Sequence, residues 1–162
     1  MQPMMNHIAW VTDDQEGVAN FLRTYFDCEI GERRTIEGAW ADELAQMKNC
    51  KVYYLPAVCQ GTATRIAILK FINPEPINNP DVSELNRKGL RHFGFLVEDI
   101  AAKVSQLKSG GYEFLSDVVT AEGFESQTVY FRGPENVIVQ LTESMMATPP
   151  PGNSIVLGSL QP

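Results

Sequence analysis

The feature that most constrains this chain is an internal repeat. Residues 7–14 read His7-Ile8-Ala9-Trp10-Val11-Thr12-Asp13-Asp14, and residues 92–99 read His92-Phe93-Gly94-Phe95-Leu96-Val97-Glu98-Asp99. Each copy gives a histidine, a large apolar residue, a small residue, an aromatic, two mostly aliphatic positions and an acidic pair. The chain has 2 histidines, and both occupy the same place in the repeat. A two-residue period puts His7 on one strand face with Ala9, and His92 on one face with Gly94. Ile8, Trp10, Phe93 and Phe95 fall on the opposite faces, where helices can cover them. Small residues beside each histidine leave room, so two such modules would line a shared cleft.

The segment after each copy also repeats. Asp13-Asp14-Gln15-Glu16 is an acidic helix start, and Val18, Phe21, Leu22, Tyr25 and Phe26 then recur at helical spacing. Asp99 caps a second helix carrying Ile100, Val104 and Leu107, closed by Gly110-Gly111. Strands are expected at about 28–36, 51–57 and 64–72 in the first module, and at about 112–119, 127–132 and 137–142 in the second, with a turn at Gly133-Pro134-Glu135-Asn136. The plan is α+β, with a βαβββ module occurring twice. The boundaries read as one domain over 1–146, made of module one at 5–74, a linker at 75–90 rich in Pro, Asn and charge, and module two at 91–146. A Pro-rich tail over 147–162 reads as an extended arm whose Ile155-Val156-Leu157 could dock on the domain body or on a neighbour.

Composition narrows the function classes. With 13 Lys and Arg against 20 Asp and Glu, the net charge is −7. That opposes nucleic-acid binding, which needs basic surface to displace counterions, and it favours basic over polyanionic small ligands. Nothing approaches the roughly 20 apolar residues of a membrane span. The opening residues lack a basic segment followed by an apolar core, so a cytoplasmic protein is expected. Cys28, Cys50 and Cys59 are odd in number and lack CxxC spacing, so buried free thiols are expected rather than a disulfide frame or a zinc knuckle. Gly31-Glu32-Arg33-Arg34 reads as a solvated strand or turn face. There is neither a phosphate loop nor a Gly-x-Ser-x-Gly elbow.

The order of elements, ending in Arg132-Gly133-Pro134-Glu135-Asn136-Val137-Ile138-Val139-Gln140-Leu141-Thr142-Glu143, resembles the vicinal oxygen chelate superfamily, which includes glyoxalases, bleomycin-resistance proteins and extradiol dioxygenases. That run resembles the family's closing strand. Arg65 to Glu75 resembles its first-module counterpart, and the likeness spans about residues 5–145. It implies two modules forming a paired, half-barrel cleft around a small ligand, and by analogy a homodimer. It also implies a divalent metal (Zn, Ni, Mn or Fe) held at positions that match His7, Ala67, His92 and Gln140 here. Ala67 cannot bind a metal, and Gln140 offers only a neutral carbonyl oxygen, so the metal set reduces to His7, His92 and Gln140. Glu143, three residues on from Gln140, should face the other way.

Three chemistries remain open. A metal-dependent lyase or isomerase would polarise a substrate oxygen. Glyoxalase-like proton transfer lacks its carboxylate. Extradiol ring cleavage would need Tyr130 or Tyr53 as the acid-base group, since both histidines are spent as ligands. A metal-free binder of bleomycin-resistance type would use an aromatic-lined groove. Trp40, Tyr54, Ala67 and Tyr130 are the candidate ligand-contacting residues, while Trp10 is expected to face the helix layer.

Overall fold

The computed structural model describes residues 5–62, 64–78, 84–121 and 123–145. The chain divides into two compact units, at Met1–Asn78 and Asn79–Pro162. The proposed arm over 147–162 lies outside the described residues.

The first unit contains β1 (His7–Val11), α1 (Gln15–Phe26), β2 (Glu29–Ile30), β3 (Arg34–Glu37), α2 (Ala39–Ala45), β4 (Lys51–Val58) and β5 (Arg65–Asn73). The second contains β6 (His92–Leu96), α3 (Ile100–Ser109), β7 (Glu113–Phe114), β8 (Val119–Ala121), β9 (Ser126–Arg132), a short 3-10 turn (Pro134–Asn136) and β10 (Ile138–Ser144). Each unit builds one five-stranded mixed sheet. Its order is β1-β5-β4-β2 with β3 also on β4 in the first unit, and β6-β10-β9-β7 with β8 also on β9 in the second. The first and last strands of each module run parallel and the other pairings are antiparallel. The repeat in the sequence is therefore a repeat of topology.

The two longer helices, α1 and α3, start where an acid places them. The Asp14 carboxylate accepts from Gly17 N at 2.9 Å, and that of Asp99 accepts from Ala102 N at 2.8 Å, satisfying amides that the first turn leaves unpaired. α1 buries Val18, Ala19, Phe21 and Leu22. Trp10 meets Phe21 edge-on, with centroids 6.5 Å apart, so the indole faces the helix layer as its strand parity requires. Gln15, 3% exposed, ties the helix start to the sheet by donating from Nε2 to Tyr53 O at 2.9 Å and to Ile68 O at 2.8 Å. In the second unit, the fully buried Phe131 carries the rings of Phe114 and Tyr112 at 5.3 and 6.1 Å.

Three details differ from the sequence reading. The long strands expected at 28–36 and 112–119 are each two short ones, broken at 31–33 and 115–118, and all four pair with the edge of β4 or β9. Residues 39–45 form the extra helix α2, entered through Gly38 at φ +95°. Its Ala41 packs with Cys50 and Val52 in a cluster joined by Ile36, Leu69 and Phe71.

The third difference corrects the cysteine expectation. Cys28 and Cys59 form a disulfide, with Cα atoms 4.0 Å apart. The register explains it. Glu29 pairs with Val58, so Cys28, just before it, and Cys59, just after Val58, are the next facing positions on adjacent strands. Only Cys50 is a free thiol, and it is buried.

Candidate functional site

Both histidines lie on the sheet face opposite the long helix of their own unit, and both are exposed. His7 sits beside Arg65 across the β1–β5 pairing, with Ala9 beside Ala67. Pro56 and Tyr54 of β4 continue the same face, opposite Ala67 and Leu69. Ala67 is 2% exposed and Tyr54 is half-buried. Tyr53 has the other parity, on the α1 side with its partner Lys70, away from His7. Trp40 stands on α2, next to the inward Ala41, with 57% of its surface exposed.

A small network orients His7. Asn6 Oδ1 lies 2.9 Å from His7 Nδ1 and accepts from Arg65 Nη2 at 3.1 Å. A carbonyl oxygen can only accept, so Nδ1 of His7 carries the proton in this arrangement. The lone pair of the neutral ring is then at Nε2.

The second unit gathers more of the predicted residues on one face. His92 is opposite Ile138, Gly94 is opposite Gln140, and Gln140 is opposite Tyr130 on its other side. The His92 and Tyr130 rings meet edge-on at 5.1 Å. Gln140 donates from Nε2 to Thr128 Oγ1 at 2.8 Å, while the Thr128 hydroxyl donates its single hydrogen to Leu141 O at 2.9 Å. Thr128 must therefore accept from Gln140, which fixes the amide with Oε1 turned away from Thr128. A Cβ at Gly94 would come 3.8 Å from that Oε1, so the absent side chain keeps the oxygen uncovered on that flank. Glu143 faces the other way, as parity demands, and accepts from Ile100 N at 2.7 Å, holding the start of α3.

Asn6, Arg65 and Thr128 were not among the residues singled out from sequence. Asn6 adjoins the motif histidine, and Arg65 opens the β5 motif. Thr128 carries no sequence signal of its own, because its role depends on strand register.

Elsewhere in the first unit, an open depression of about 560 Å³ is lined by Glu37, Gly38, Ala39, Asp42, Asn49, Cys50 and Lys51. Its charges are already engaged. Asp42 accepts from Asn49 N at 2.9 Å and Cys50 N at 2.6 Å, and Glu37 pairs with Lys51 at 3.0 Å. That pairing holds the Lys51 ammonium above the usual lysine range, through its hydrogen bond to Glu37 first and the charge attraction second.

A family model described as the glyoxalase/bleomycin resistance protein/dioxygenase superfamily matches residues 6–131. The chain belongs to this superfamily. Solved structures agree at the level of the fold. A glyoxalase family protein from Bacillus cereus is 24% identical, with 90% of this chain and 97% of that chain covered and a TM-score of 0.79. A glyoxalase family protein from Enterococcus faecalis is 20% identical, with 86% and 97% covered and a TM-score of 0.60. The genomically encoded fosfomycin resistance protein from Listeria monocytogenes is 16% identical, with 89% and 95% covered and a TM-score of 0.56. No curated protein sequence matches the chain.

At the positions that the superfamily resemblance matches to metal ligands, this chain carries His7, Ala67, His92 and Gln140. Among the described residues, no three His, Cys, Asp or Glu side chains group as a metal site. The donors at the matching positions are neutral: two imidazoles and one amide oxygen. Imidazole is a good ligand for Zn, Ni and Fe, so each histidine taken by itself is of a type that such an ion accepts. The hydrogen-bond partners of His7 and Gln140 are of the kind that orient metal ligands from behind. Among the described residues, no helix is long and apolar enough to cross a membrane.

Proposed function

We propose that this chain binds a small oxygenated molecule with the help of a divalent metal, using His92 and Gln140 from the second module and His7 from the first. The observation that carries this reading is the pair of back-side hydrogen bonds. Asn6 Oδ1 accepts a hydrogen bond from His7 Nδ1 and Thr128 Oγ1 accepts one from Gln140 Nε2, so His7 and Gln140 each present a lone pair on the other side. A bound metal would act there as a Lewis acid toward a ligand oxygen. The chain's own residues orient the donors, and Tyr130 packs against His92.

The neutral donor set also supports a second reading, a metal-free small-molecule binder in which the same lone pairs accept hydrogen bonds from ligand hydroxyls. Metal analysis of protein purified without chelator separates the two. A stoichiometric ion that disappears in His7→Ala and in His92→Ala supports the metal reading. Retained ligand binding with no metal after loading supports the binder. A homodimer remains part of the proposal by analogy with the superfamily, and a cytoplasmic setting remains part of it on the sequence reading alone.

A further inference from the structure

We propose that Arg65 is a specificity-determining residue that selects an anionic ligand, a small carboxylate or similar oxyanion, next to His7. The inference rests on the ligand-binding reading above and adds the charge class of the ligand.

The first unit sorts its charges by face. Arg33 forms an ion pair with Glu16 of α1, so it lies on the helix side of the sheet. Its neighbour Arg34 has the opposite parity and pairs with Tyr54, on the face of His7. Arg65 is on that face too, directly beside His7. Among the described strand positions of this face, the only carboxylate is Glu29, on the edge strand β2 opposite Val58. These strands therefore carry two guanidinium groups against one carboxylate on this face, while α2, packed on the same face through Ala41, adds Asp42 and Glu43.

Arg65 is also placed rather than loose. Asn6 Oδ1 holds one terminal nitrogen at 3.1 Å and His7 Nδ1 at 2.9 Å. That one acceptor sets a guanidinium beside an imidazole whose Nε2 keeps its lone pair. Asn6 engages a single Arg65 donor, and the fork has five, so donors remain for a bidentate oxyanion. Such a pairing excludes uncharged analogues of the same shape, because only a carboxylate answers both N–H groups with charge. On the same strand as His7, the next residue on this face is the small, exposed Ala9, so no bulky side chain of β1 stands beside the imidazole there.

The test uses the full chain, stripped of metal and again loaded with zinc, titrated with pyruvate and with its uncharged methyl ester by NMR. The expected result is that pyruvate shifts the Arg65 and His7 signals, the ester binds at least tenfold more weakly, and Arg65→Gln removes the difference. Arg65→Lys should recover part of it, and Arg33→Gln, on the other face, should leave it unchanged. Equal binding of acid and ester, or full selectivity in Arg65→Gln, overturns the role of Arg65 while leaving the ligand-binding reading standing. No response of His7 or His92 to either compound, with or without zinc, overturns both.

Discussion

Reducing the Cys28–Cys59 bond should destabilise the protein by about 3.7 kcal/mol at 25 °C. The two cysteines are separated by 31 residues, and closing a loop of that length removes chain entropy from the unfolded state by about that amount. The bond joins positions flanking the β2–β4 pairing, so its loss also frees the edge of the first sheet. For a chain of this size the melting temperature should fall by roughly 7–15 °C. The assay is urea unfolding of wild type with and without reductant, beside the Cys28→Ser/Cys59→Ser variant. Reduced wild type and the variant should unfold together, both well before the oxidised protein. Denatured oxidised protein should titrate one thiol, that of Cys50. Three thiols before reduction, or unchanged unfolding after it, would refute the argument.

Other expectations rest on named contacts. Gln15→Glu would set a buried carboxylate against two backbone carbonyls. It should cost about 3–5 kcal/mol at neutral pH. Burial raises the folded-state pKa of such an acid, so the deficit should shrink as pH falls toward about 4, which urea unfolding across pH would show. Phe131→Ala empties the fully buried centre of the second unit and should cost about 3–5 kcal/mol by the same assay. Asp99→Ala removes the cap on α3 and should cost about 1 kcal/mol. Gly94→Ala adds a Cβ at ordinary contact distance from Gln140, so folding should change by no more than about 0.5 kcal/mol. Ligand or metal binding that involves Gln140 Oε1 should nonetheless weaken in that variant, as calorimetry would show.

Much of the architecture is readable from local pattern. The His-x-small spacing announces β1 and β6, and Asp14 and Asp99 mark the helix starts. The apolar stripes show which side of each sheet the helices cover. The features that escape such reading depend on register. The disulfide needs the Glu29–Val58 pairing, and the role of Glu143 at the start of α3 needs the fold of the second unit. The orientation of Gln140 needs Thr128, on the neighbouring strand. α2 escapes because its seven residues are too short for an apolar period, although Ala39, Ala41, Glu43, Leu44 and Ala45 are good helix formers. The overall acidity is counted over the whole chain and does not show how charge is laid out, whereas strand register puts Arg65 and Arg34 on one face with His7.

The most direct test of the account is the metal content of the purified protein, then zinc titration of wild type, His7→Ala, His92→Ala and Gln140→Ala. We expect one ion per chain in wild type, with affinity lost in either histidine variant and weakened in Gln140→Ala. Zinc binding that is indifferent to all three substitutions, or no uptake of Zn, Ni, Mn or Fe by folded wild type, would contradict it.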